Sequence, residues 1–224
     1  MATCVPEAAP LLTGVMGGMF DPVHLGHLQA AAAARASCAL ERVLLLPCGN
    51  PVHREAALTP ALHRCAMLRL AMRDMPWLQL DTRECDSKAP SRTYDSLLEL
   101  QAERPGEILC FMLGLDAFLT LASWYRWREL FTLAHLVVMT RPGYSMSAAG
   151  PADEVLAELA LRRCDDARAL RAERTGRILL LEAATPGLSS SQIRTLLQSG
   201  QSVAGLLPPG VAEYIKEHRL YRPA

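Results

Sequence analysis

LLTGVMGGMFDPVHLGH, residues 11–27, with the Ala-rich run that follows it to Leu40, is the stretch that decides the fold. Residues 11–18 read as a short buried strand entering a glycine turn. HLQAAAAARASCAL, residues 27–40, is uncharged until Arg35 and reads as a helix packed closely against a sheet. Strand, tight loop and helix in that order put the loop beyond the strand's carboxyl end, where open α/β sheets bind ligands. Gly17 and Gly18 let the backbone turn and approach a ligand. The helix behind them aims its free amides and positive dipole end at the same space. His24 and His27 stand three apart at that helix start with Gly26 between them, so both rings can face one anion, and a polyphosphate is the natural guest. Neither GxGxxG nor GxxxxGK[ST] occurs here, which removes the dinucleotide-fingerprint and P-loop readings. A zinc site built on the two histidines would need Cys48 and His53 as further ligands; the flanking glycines favour phosphate instead.

Outward from this loop the chain keeps alternating. RVLLLPC (42–48) is a strand-length apolar run. TPALHRCAMLRLAMRDM (59–75) reads as a helix, with Leu62, Cys65, Ala66, Leu68, Leu70 and Met72 assigned to its buried face. WLQLDTREC (77–85) reads as a strand, TYDSLLELQAE (93–103) as a helix, and EILCFMLG (107–114) as the most buried strand. Further on, Trp124 to Phe131 suggests a short helix and HLVVMTRPGY (135–144) a strand. The small polar residues 145–154 suggest a loop, and RILLLE (177–182) a last strand. SSSQIRTLLQSG reads as a serine-capped helix, and a final helix follows Pro208-Pro209-Gly210 as far as about His218. Five or six buried strands alternating with helices predict a doubly wound parallel sheet of the α/β class. One domain over residues 12–224, after a tail of residues 1–11, is expected, since no linker or repeat divides the chain.

Composition narrows the partners. The 224 residues carry 23 Lys+Arg against 23 Asp+Glu, so no excess of positive charge exists to hold nucleic acid or an anionic membrane surface. Half of the residues are hydrophobic, which excludes a disordered chain. The seven cysteines form no CxxC pair and several sit in apolar runs, as expected of buried thiols in a reducing compartment. MATCVPEAAPLL has no basic region ahead of an apolar stretch, so no signal peptide is expected and the cytoplasm is the expected location. Oligomeric state, monomer or homo-oligomer, is left open.

A second anion nest lies in Leu188-Ser189-Ser190-Ser191-Gln192-Ile193-Arg194, again after a strand and at a helix start. Hydroxyls and free amides gather there, and Arg194, one turn in, can fold its guanidinium onto a phosphate. A serine before a helix is by itself only a cap; paired with the His-Gly-His loop it points to one shared ligand.

GGMFDPVHLGH and SSSQIR together resemble the nucleotidyltransferase superfamily marked by an HxGH-type loop and an ISSTxIR-type segment. Within it the chain most resembles the bacterial nicotinate-mononucleotide adenylyltransferase family. Pro51-Val52-His53-Arg54 is similar to that family's PPHK/R loop, Pro90-Ser91-Arg92-Thr93 to its PSYT segment, and Gly114-Leu115-Asp116 to its GAD. Trp124-Tyr125 is similar to its WY pair and Arg141-Pro142-Gly143-Tyr144 to its RPGY turn. Residues 207–221 are similar to its closing helix. The likeness runs in order from about residue 12 to the end.

The resemblance implies a Mg²⁺-dependent reaction in which nicotinate mononucleotide and ATP give deamido-NAD and pyrophosphate. It implies that His24 and His27 contact the ATP phosphates and that Arg194, with the Ser190 and Ser191 amides, holds the leaving pyrophosphate. Gly17, Gly18, Met19 and Phe20 would pack on the nucleotide, with Ile193 beside them, and Asp116 would engage the ribose region. On the acceptor side it implies Trp124 stacked on the pyridine ring, the Tyr125 amide and Thr93 at the carboxylate, and His53, Arg54 and Arg141 nearby. No protein-held metal is implied. For Trp124 the plain alternative is core packing; for Arg141 it is a cap on the Pro-Gly turn.

Four positions depart from the family pattern. Met19 stands in place of Thr or Ser, Val52 in place of a second Pro, Arg92 in place of Tyr, and Ser191 in place of Thr. Val52 and Arg92 touch the acceptor side and leave acid versus amide preference open. Alternatives are thus a related transferase for nicotinamide mononucleotide or phosphopantetheine, and a nucleotide-binding regulator that has lost catalysis, supported by Met19. Whether the loop around residues 145–153 closes on substrate is not legible in the sequence.

Overall fold

The computed structural model of the chain describes residues 10–51, 59–140, 152–182 and 187–222. Seven strands form one sheet: β1 Leu12–Gly18, β2 Arg42–Pro47, β3 Leu78–Leu80, β4 Ile108–Gly114, β5 His135–Thr140, β6 Arg163–Cys164 and β7 Ile178–Glu182. All pairs are parallel and the order is β3-β2-β1-β4-β5-β7-β6. The winding reverses between β1 and β4, which opens a crevice beyond their carboxyl ends. The doubly wound parallel sheet expected from the alternation is what forms.

The helices are α1 Leu25–Cys38, α2 Ala61–Ala71, α3 Arg83–Asp86, α4 Thr93–Glu103, α5 Leu115–Leu119, α6 Leu130–Leu133, α7 Asp153–Arg162, α8 Ala169–Ala172, α9 Ser190–Gln198 and α10 Pro209–Glu217. Strand side chains alternate between two apolar clusters. Val43, Leu45, Cys110 and Met112 meet α1, α2 and α10 on one face, whereas Leu44, Leu46, Phe111 and Leu113 meet α4–α7 on the other. Burial on both faces is why the strands are continuous apolar runs. Among the described residues no helix is long and apolar enough to cross a membrane.

Several local expectations are corrected. Residues 77–85 are not one strand: β3 is three residues long and the chain turns into α3. Asp81 makes the turn, its carboxylate accepting the Arg83 amide at 3.1 Å and the Arg83 guanidinium at 2.8 Å. The buried face of α2 holds Arg64, Cys65, Met67, Leu68 and Ala71, while Leu62 is 74% exposed. Trp124 precedes rather than starts a helix; a 3₁₀ turn at Trp127–Glu129 runs into α6. β6 and α8, of two and four residues, are too short for a period to show, and α7 begins inside the small polar stretch that reads as a loop. The Arg141–Tyr144 turn and most of the 145–153 loop lie outside the described residues.

Candidate active site

The loop between β1 and α1 is fixed from several sides. Phe20 is buried in a left-handed conformation with φ 49°, and the peptide between Asp21 and Pro22 is cis. Beneath the loop, the guanidinium of Arg64 on α2 is only 1% exposed. It donates from Nη1 to the Met19 carbonyl at 2.8 Å and from Nε to the Thr59 carbonyl at 3.1 Å. Met19 thereby contributes held backbone, and the loop keeps its shape without a hydroxyl side chain there.

His24 and His27 enter at the start of α1 with rings stacked at 3.7 Å. Gly26 suits this spacing, because a Cβ on it would stand 3.0 Å from His24 Nδ1 and the ring would have to give way. The His24 amide donates to His27 Nδ1 at 3.2 Å, so the proton of a neutral His27 ring resides on Nε2. His24 Nδ1 is buried with no hydrogen-bond partner among the described residues, a polar atom that invites a ligand. Burial lowers the His24 pKa to about 4; burial, helped by His24, lowers that of His27 to about 3. Both rings are therefore neutral donors near pH 7.

α9 brings the second anion-binding element to the same place. Ser189 caps it, accepting the Gln192 amide at 3.2 Å, which leaves the first amides of the helix without intrahelical acceptors. Arg194 donates from Nη1 to the Asp21 carbonyl at 2.8 Å and from Nη2 to Ser191 Oγ at 3.2 Å. Ser190 Oγ donates to the Pro22 carbonyl at 2.9 Å. The two loops recognised in the sequence, far apart in the chain, are thus bonded directly to one another.

Together they wall a cleft of about 840 Å³. Gly17, Gly18, Met19, Phe20, His24, His27, Ser190, Ser191, Arg194 and Asp116 line it, and Thr93, Trp124 and Tyr125 line its other end. Ile193 does not: its side chain is 0% exposed and belongs to the core, since the face of α9 that carries it turns inward. His53, Arg54 and Arg141 lie outside the described residues. Trp124 is half-buried, edge-on to Phe111 with ring centroids 6.2 Å apart. Arg92, directly before α4, lays its guanidinium over the Tyr125 ring at 4.1 Å.

Reading 77–85 as a strand hid one wall residue. Glu84 on α3 lines the cleft, receives the Ser96 hydroxyl at 2.7 Å, and has its pKa raised mainly by burial. Gly49 permits this approach, as any Cβ there would stand 1.8 Å from the Glu84 carbonyl oxygen. Ser91 ties the neighbouring turn, its Oγ accepting the Gly49 and Asn50 amides at 3.0 Å each. Arg64 is a second functional residue absent from the sequence reading, where it falls outside the face assigned to the core and reads as a surface charge.

No group of three or more His, Cys, Asp or Glu side chains converges as a metal site among the described residues. The donor set instead suits a cation carried in on phosphate oxygens, which needs few carboxylates from the protein, and Asp116 lines the cleft. Chemically, the site offers neutral imidazole donors, a guanidinium and helix-start amides around one volume, with an aromatic face at the far end. That suits charge development on a polyphosphate more than nucleophilic catalysis by a side chain.

Residues 15–196 match the family model described as cytidylyltransferase-like. A protein of Aeromonas hydrophila described as "Probable nicotinate-nucleotide adenylyltransferase" is 43% identical over 94% of this chain and 97% of its own length. One of Methylococcus capsulatus with the same description is 40% identical over 94% and 99%. Among solved structures, the Plasmodium falciparum nicotinic acid mononucleotide adenylyltransferase complexed with NaAD superposes with a TM-score of 0.68 at 17% identity. The match covers 94% of this chain and 97% of that one. At that identity the likeness is one of fold.

Proposed function

The chain belongs to the cytidylyltransferase-like family and, within it, to the nicotinate-nucleotide adenylyltransferases, and from that premise we propose the reaction that its cleft performs. It transfers AMP from ATP to nicotinate mononucleotide, releasing pyrophosphate and forming deamido-NAD. An oxygen of the mononucleotide's phosphate attacks the α-phosphorus of ATP. The bond from that phosphorus to the bridging oxygen breaks, and the electron pair leaves with pyrophosphate. No covalent enzyme intermediate is needed, so the protein's work is alignment and charge stabilisation.

The single observation that carries this reading is the direct bonding of the His24–His27 loop to the Arg194 helix around one cleft. In it, His24 and His27 donate to the phosphate chain while Arg194 and the first amides of α9 receive the departing pyrophosphate. Mg²⁺ held on the phosphate oxygens, with the Asp116 carboxylate lining the same cleft, would neutralise part of the negative charge. At the far end Trp124 offers its face to the pyridine ring, and Thr93 and the Tyr125 amide face its substituent. Arg92 favours the acid over the amide, because a guanidinium lining the cleft on the Tyr125 ring supplies charge that a carboxylate uses and a carboxamide does not. The enzyme works in the cytoplasm on small molecules.

Incubating the purified protein with ATP, Mg²⁺ and nicotinate mononucleotide should give deamido-NAD and pyrophosphate in equal amounts. Nicotinamide mononucleotide and phosphopantetheine run beside it should be poorer acceptors. No turnover with any acceptor, at any Mg²⁺ concentration, together with retained ATP binding would overturn the enzyme reading in favour of a nucleotide-binding regulator.

A further inference from the structure

After α10 the chain makes an unusual turn. Arg219 and Tyr221 both hold left-handed backbone conformations, with φ of 55° and 57°. Bulky residues rarely occupy this region, and each such residue costs of order 1–3 kcal/mol, so it persists only where the surroundings enforce it. The turn returns the Tyr221 side chain to the loop after β1, 200 residues earlier in the chain, where its hydroxyl donates to Asp21 Oδ1 at 2.5 Å. Asp21 is 2% exposed. Burial, and then the Asp21 carboxylate, push the Tyr221 phenol far above its usual pKa, so it remains a donor throughout the working range. The carbonyl of that same Asp21 receives the Arg194 guanidinium at 2.8 Å, and the next carbonyl, of Pro22, receives Ser190 Oγ at 2.9 Å. Tyr221 itself is not among the residues that line the cleft.

We propose that Tyr221 is a positioning residue for the phosphate site: by fixing Asp21 it sets the Asp21 and Pro22 carbonyls on which Arg194 and Ser190 are aligned. A strained turn whose only purpose was to fasten the chain end could be replaced by packing, since the Tyr221 ring already contacts the apolar cluster around α1, α2 and α10. The hydroxyl adds a directed bond to a residue whose carbonyl also orients the guanidinium. Preorganising that group before nucleotide arrives reduces reorganisation in the transition state. For the reaction measured, this inference rests on the proposed adenylyl transfer; for nucleotide binding it does not.

Tyr221→Phe separates the two roles, because it keeps the ring and removes only the hydroxyl. The expected result is a kcat about tenfold lower with acceptor KM within about twofold, as for a misaligned group acting in the transition state. Affinity for a non-hydrolysable ATP analogue, measured by calorimetry, should fall by roughly threefold or more. In an Arg194→Lys background the same substitution should change kcat by less than about twofold, since the guanidinium it aligned is gone. Wild-type kcat and analogue affinity in Tyr221→Phe would overturn the proposal, as would a full, additive loss in the Arg194→Lys background. A wild-type protein that binds the analogue but makes no deamido-NAD would sink the acceptor assignment, while the analogue affinities of the two proteins still decide the role of Tyr221.

Discussion

His27 accepts the backbone amide of His24 through Nδ1 at 3.2 Å, which leaves Nε2 as the protonated nitrogen of a neutral ring. The bond locks one tautomer and holds the two rings stacked. A fixed donor that meets phosphate charge as it develops is worth more in the transition state than in the bound ground state. His27→Ala is therefore expected to lower kcat by about 10²-fold while ATP-analogue affinity changes by less than about tenfold. Steady-state kinetics with calorimetry checks this, and wild-type turnover would remove His27 from the catalytic group.

The same burial sets a pH dependence of stability. An unfolded histidine titrates near 6.5, whereas folding depresses His24 to about 4 and His27 to about 3. Between those values the unfolded chain binds protons that the folded chain refuses, so stability is full above about pH 6.5 and falls as pH drops toward 4. Thermal melts from pH 7.5 to 4 should show Tm declining below 6.5. His27→Gln should flatten that decline, because one of the two refused protons disappears. Parallel curves for the two proteins would contradict the neutral, buried state of His27.

The fold was legible because both sheet faces are buried: RVLLLP and ILCFMLG can be little else than central parallel strands. The anion loops were legible because glycine, histidine and serine stand at helix starts, where local chemistry dictates use. What remained hidden depends on tertiary contact. Arg64 reads as a surface charge until the fold brings the Met19 carbonyl over it, and Leu62, apolar by composition, is left outside. Glu84 and Tyr221 gain their roles from chain reversals set by Asp81 and by two left-handed residues, none with a sequence period. Ile193 shares the motif of the site residues, but helical geometry turns its side chain to the core.

Arg64 makes a stability prediction distinct from activity. A buried guanidinium donating to two carbonyls is expensive to desolvate and more expensive to remove alone, because the carbonyls of Thr59 and Met19 lose their donor. Arg64→Met, close in length and apolar, should destabilise the fold by about 3 kcal/mol in urea unfolding. It should also loosen the Met19 backbone, raising the KM for ATP more than that for the acceptor. A loss below about 1 kcal/mol would mean those carbonyls find other partners.

The acceptor end yields the last prediction. Trp124 is held edge-on to Phe111 and lines the cleft, so stacking on a pyridine ring would be shared by ground and transition states. Trp124→Ala is accordingly expected to raise acceptor KM about tenfold with little change in kcat. Arg92 acts differently, since its charge discriminates between acceptors. Among the described residues it has no carboxylate within ion-pair distance, and Tyr125, 42% exposed, carries its guanidinium at the cleft wall. Arg92→Gln should lower kcat/KM for nicotinate mononucleotide about tenfold and leave that for nicotinamide mononucleotide within about twofold, the scale of one exposed charge-assisted contact. Equal losses on both acceptors would show that Arg92 only supports the Tyr125 ring, and acid preference would then rest on the Tyr125 amide and Thr93.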